Sequence, residues 1–106
     1  MPADLSKFHM PQGADPAWYH FGGIKVWIDG ENDCRTGYMY QPYIGKFDTD
    51  PPGGLGTLVT DQRAANRFAA IAHQAGVISM MHCSGDHATD IGLNACDTVI
   101  NTSSAS

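Results

Sequence analysis

The run Val77-Ile-Ser-Met-Met-His-Cys-Ser-Gly-Asp86 constrains this chain more than any other stretch. It opens apolar with poor alternation, the pattern of a parallel strand covered on both faces. His82 then stands at the carboxyl end of that strand, just before the turn Ser84-Gly85-Asp86. Strand ends of this kind are where α/β folds collect their chemistry, because the loops that follow supply the reacting groups. A strand-end histidine serves as a ligand or acid/base group, or it caps the strand by bonding a loop. Position alone leaves both open.

The segments on either side read as α/β units. Residues 60–75 repeat Ala64/Ala65, Phe68, Ile71/Ala72 and Ala75 at helical spacing. Thr60 or Asp61 supplies the N-cap, and Gly76 suits the left-handed position after the last turn. A second helix is predicted over 86–100, with Ala88, Ile91, Ala95 and Val99 on one face. Upstream, residues 22–29 (Gly-Gly-Ile-Lys-Val-Trp-Ile-Asp) form a strand that alternates cleanly. Ile24, Val26 and Ile28 share the face turned to a helix layer; Lys25, Trp27 and Asp29 share the other. A lysine in mid-strand is costly inside a protein unless it is paired or chemically changed. On an edge strand it simply reaches water, and alternation alone does not separate the two cases.

Between them, 29–57 is rich in Gly and Pro, and so long a connection in a small domain is often functional. Its Tyr38, Tyr40, Tyr43 and Phe47 line a pocket or pack the loop. Gly53-Gly54-Leu55-Gly56 is no phosphate loop, since no Lys-Ser/Thr follows it. Residues 1–21 form an arm anchored by Trp18, Tyr19 and Phe21, with His9 and His20 solvated or structural; 22–100 is the body, and 101–106 a polar tail.

A formal charge of −5 with six Lys/Arg in no stripe argues against a nucleic-acid partner. No apolar run reaches the roughly 18 residues of a membrane span, and the first residues lack a signal-peptide pattern. Three cysteines without zinc-ribbon spacing fit reduced thiols, so a cytoplasmic location is expected. The order strand, long loop, helix, strand, helix supplies only two parallel strands. A closed α/β barrel takes about 250 residues, so the sequence looks like a slice of a larger fold.

The motifs Gly23-Ile-Lys-Val-Trp-Ile-Asp-Gly30, Arg35-Thr36, Gln41-Pro42-Tyr43, Gly54-Leu55 and His82-Cys-Ser-Gly-Asp86 occur in the order and spacing of one family. The chain resembles the amidohydrolase superfamily, in particular the amidohydrolase-3 branch that includes N-substituted formamide deformylases. The match covers about residues 20–100. It implies a partial (β/α)8 TIM barrel, about two β/α units from its middle. It further implies a divalent metal centre, two zinc ions per full-length site, that hydrolyses a C–N bond of a small amide or formamide through a metal-activated hydroxide.

By the same resemblance Lys25 is the lysine carboxylated by CO2 that bridges the metals, and His82 is a metal ligand from the next strand. Asp29, Gly30, Arg35, Thr36, Gly85 and Asp86 are implied to organise the loops, with no catalytic part. His87 departs from the family, which has arginine after Gly-Asp, and Cys83-Ser84 replace small apolar residues; both leave the substrate open. The family's His-x-His pair, its third strand-end histidine and its catalytic aspartate fall outside the match. No turnover is therefore expected from this chain alone. The alternative reading is a non-catalytic binding or assembly module of the same descent. A private metal site of Lys25, His82, Cys83 and His87 is disfavoured, because alternation turns Cys83 away from His82.

Overall fold

The computed structural model describes residues 22–104 together with Gly13, Asp15 and Ala17. The predicted anchor Trp18, Tyr19 and Phe21, and His9 and His20, lie outside the described residues. The element order is β1 (Gly23–Trp27), α1 (Gln62–Ala75), β2 (Ile78–His82) and α2 (Asp86–Ser104). β1 and β2 form a two-stranded parallel sheet in which Lys25 pairs with Met80 and Trp27 with His82. The architecture is thus mixed α/β, with two helices packed on a small parallel sheet.

Local chemistry explains the helix limits. Asp61 is the N-cap of α1 and accepts from the Ala64 amide. Gly76 ends the helix in the left-handed region at φ 71° and returns its own N–H to Ala72 and His73 carbonyls. α2 begins at Asp86, as the sequence predicts, but continues to Ser104, a turn beyond Ile100. Its polar residues Asn94, Thr98 and Asn101 bond within the helix or to α1, so the polar composition near the end does not stop it.

The core lies between the sheet and the helices. Ile28, Ala65, Ala69, Ala88, Ile91 and Ala95 form it, with Val26, Met81, Cys83 and Val99 packed against them. Four of the six are alanines, two from each helix, and those small side chains let the two helices pack closely. Phe68 is the largest fully buried apolar side chain. Ala75, predicted on this face, is exposed, while Ala69 takes its place, because the helix ends at Gly76 before that turn reaches the sheet.

One expectation is overturned. β2 is covered on one face only: Ile78 is 66% and Met80 44% exposed, beside Trp27 at 54% and an exposed Lys25. Paired residues of parallel strands share a face, so these four form one open side, while Val26 and Met81 turn to the helices. Both helices pack on the same side of the sheet, and within the described residues nothing layers the other. No helix among the described residues is long and apolar enough to cross a membrane.

Candidate functional site

The carboxyl ends of both strands meet one ordered loop. The sheet hydrogen bonding extends one step past β1, where the Ile28 amide donates to the His82 carbonyl at 2.9 Å. Residues 58–60 then return along the other side: Asp29 bridges Leu58 antiparallel, and the Val59 and Thr60 amides donate to the Ile28 carbonyl. The Thr60 hydroxyl donates to the Trp27 carbonyl at 2.7 Å. The long connection is therefore a pinned loop whose two ends are sewn to the strand it leaves.

Asp29 is the centre of this arrangement. Strand alternation placed it beside Lys25 and Trp27, but β1 ends at Trp27 and Asp29 is only 1% exposed. Its carboxylate accepts from the Tyr38 amide at 2.7 Å, the Ser84 amide at 2.9 Å and the Gly85 amide at 2.7 Å. One side chain thus ties the loop after β1 to the turn after β2. The approach is close enough that a Cβ at Gly85 would run into the Tyr38 backbone. Gly30 is similarly crowded by Thr36, whose hydroxyl accepts from the Glu31 amide at 2.8 Å.

Asp86, the first residue of α2, accepts from the Tyr40 amide at 3.0 Å. Tyr38 and Tyr40 stack on His87 from centroid distances of 4.5 and 4.0 Å, and the Tyr40 phenol donates to Asp90. That carboxylate acceptor holds the Tyr40 phenol above its usual pKa, so it remains a donor. These aromatics pack the loop onto α2. His87 supplies a flat ring between them.

Arg35 closes the outer half of the loop. At φ 59° it turns the chain, and its guanidinium binds Asp50 in a bidentate pair at 2.7 and 3.0 Å. It also donates to the Ile44 and Gly45 carbonyls and lies against the Tyr43 and Phe47 rings. The Arg35 hydrogen bonds, then the Phe47 amide, hold the Asp50 carboxyl below the usual range. Stability from a depressed carboxyl is complete above the unfolded value, near pH 4, and is lost as pH falls through the folded one. The Arg35 Nε–H resonance is therefore expected to stay constant from pH 7 to about 4 and to move below that. Asp50→Asn should abolish the acid transition; a resonance that titrates identically in that variant contradicts the assignment.

His82 lies at the floor of the mouth. Its Nε2 is 2.7 Å from the Gly30 carbonyl, 3.0 Å from the Ser84 hydroxyl and 3.3 Å from the Glu31 carboxylate. A carbonyl only accepts, so Nε2 carries the proton, and in the neutral ring Nδ1 keeps the lone pair. A histidine that ligates a metal commonly has this form, with the second nitrogen donating to a carbonyl or carboxylate. Glu31 was not singled out from the sequence, and Ser84 stood out only as part of the turn and not as a partner of His82. Glu31 has no motif around it, and its nearness to His82 arises only when the loop folds back.

Lys25 shares the open face with His82 but lies one pleat, about 7 Å, farther from the carboxyl end. It is exposed, and its ammonium rests 5.1 Å from the Trp27 ring centroid. Burial, the condition expected to favour its neutral amine, is not supplied by the described residues. Among them no group of three or more His, Cys, Asp or Glu converges to hold a metal. His82 fits one ligand position and Lys25 faces the same way, but the described residues do not complete a metal centre.

The chain is thus a small parallel α/β unit with a histidine at the strand end and a mouth built from loops. Over this stretch the chain is similar to metal-dependent hydrolases. It matches the crystal structure of an uncharacterized metal-dependent hydrolase from Pyrococcus horikoshii OT3 at 30% identity and a TM-score of 0.61, over 73% of this chain and 15% of that one. A second uncharacterized metal-dependent hydrolase, from Pyrococcus furiosus, matches at 29% identity and a TM-score of 0.62, over 74% and 16%. In sequence the chain is 30% identical over 82 residues to Protein LONG AFTER FAR-RED 3 of Arabidopsis thaliana, 77% of this chain and 13% of that protein. The chain thus spans about one-seventh of each of these relatives. No family model matches.

Proposed function

We propose that this chain is the portion of a metal-dependent amidohydrolase, of the amidohydrolase-3 type, that supplies Lys25 and His82 to a binuclear metal centre. The observation that carries the reading is the parallel register, which puts both side chains on one open sheet face with His82 at its carboxyl end. A divalent metal held there would supply Lewis-acid activation of water and of an amide or formamide carbonyl. The chain's own contribution is positional. Gly30, Ser84 and Glu31 orient the His82 ring, and Asp29 holds the two loops that form the mouth. Zinc, a carboxylated Lys25 and a small amide-type substrate belong to this proposal, as does a TIM-barrel parent.

The test is a graft. Residues 22–100 replace the equivalent stretch of the full-length Pyrococcus horikoshii hydrolase, and metal content is measured per chain. Lys25→Ala and His82→Ala in the graft are each expected to lower bound divalent metal by about half or more. Unchanged metal content in both, with the fold retained, would favour the non-catalytic module instead. Alone, the 106-residue chain is expected to retain no stoichiometric zinc and to show an unmodified Lys25 by intact mass. A single tight zinc lost in His82→Ala would show a self-sufficient site and sink the idea of a shared one.

A further inference from the structure

The side of β2 opposite His82 holds three sulfurs that the hydrolase reading does not use. Met81 and Cys83 point toward α2 and pack against the core. α2 presents Gly92 to them, a residue that weakens a helix interior and so calls for a local reason. The reason is space: a Cβ at Gly92 would stand 2.9 Å from the Cys83 sulfur and 3.7 Å from the Met81 sulfur. Two sulfurs therefore converge within 4 Å of one point on the helix surface. Cys96 follows Gly92 by one turn on the same face. Helical side chains lean toward the N-terminus, which brings Cys96 to the turn of Gly92 and into the same groove. All four residues line one open groove of about 310 Å3, together with Ser79, Thr89 and Leu93. Cys83 and Cys96 are both free thiols, the first half-buried and the second exposed.

We propose that Met81, Cys83 and Cys96 form a soft-metal site that takes Cu(I), seated in the groove that these three side chains line. Two thiols and a thioether select Cu(I) over harder divalent ions, because the thioether contributes little to a metal that prefers oxygen or nitrogen. Binding replaces the thiol protons, releasing up to two per metal with no change of oxidation state. The site does not depend on the hydrolase reading, since it lies on the helix side of the sheet and shares no residue with Lys25 or His82.

The experiment is an anaerobic titration of the full chain carrying Cys34→Ser with Cu(I), delivered from a colorimetric Cu(I) chelator. About one equivalent should leave the chelator for the protein. Cys83→Ser and Cys96→Ser should each weaken uptake by at least about tenfold, and Met81→Leu measurably. Cys96 is exposed, so its variant reports on binding without disturbing the core, and far-UV circular dichroism of each variant checks the fold. Uptake unchanged in Cys96→Ser, uptake unchanged in Met81→Leu, or no transfer from the chelator would each overturn the three-sulfur site.

Discussion

Asp29→Ala is expected to destabilise the chain by about 3–5 kcal/mol, enough to abolish a cooperative transition in a domain of this size. The carboxylate is nearly inaccessible and is the shared acceptor of the Tyr38, Ser84 and Gly85 amides. Removing it leaves three donors without partners in a place water does not readily reach, and hydrogen bonds to a charged acceptor are each worth about 1.5–3 kcal/mol. Asp29→Asn keeps the shape and one oxygen, so it should lose less. A urea melt with far-UV detection separates the three proteins. An alanine variant within about 1 kcal/mol of the parent would show that the loops are held by Tyr38–His87–Tyr40 stacking instead.

The second large effect concerns the open face. Trp27, Ile78 and Met80 form an apolar strip next to Lys25, and a parallel sheet is normally layered on both sides. The two strands also leave their outer edges partly unpaired. Sedimentation of the isolated chain is therefore expected to show mass rising with concentration, through face-to-face association of copies. Ile78→Lys with Met80→Glu should return it to monomer, since both changes lie on the solvent side and leave the Met81 face untouched. A parent that sediments as a monomer at every concentration, with a sharp denaturant transition, would contradict the view that this face awaits a further layer.

Much of the fold is visible in the residues because its causes are local. The α1 repeat, the Asp61 cap and the Gly76 stop depend on neighbours within a turn, and they stand where periodicity places them. The alternation of β1 separates Val26 from Lys25 and Trp27 without reference to any other element. For α2 the apolar face Ala88, Ile91, Ala95 and Val99 is likewise where a 3.6-residue period puts it, although the end of the helix is not. An apolar run such as 77–83 gives no such guidance, because length and composition do not say whether one layer or two will cover it.

The site divides along the same line. His82 at a strand end and the glycines at 30 and 85 can be picked out by eye, since turn chemistry and strand length are properties of a few consecutive residues. What joins them is distant in sequence: the Asp29 carboxylate to the Gly85 amide spans 56 residues, and the Tyr40 phenol to Asp90 spans 50. No periodicity records such a pairing. Asp29 read as a strand residue sharing the face of Lys25 and Trp27, and only the closing of the loop over β2 turned it into a buried acceptor. Strand direction, helix caps and the two faces of β1 follow from local sterics and hydrophobic spacing. The partners of Asp29, the Nε2 proton of His82 and the one-sided cover of the sheet follow from the docking of a long loop and two helices, a collective balance of burial and hydrogen bonding.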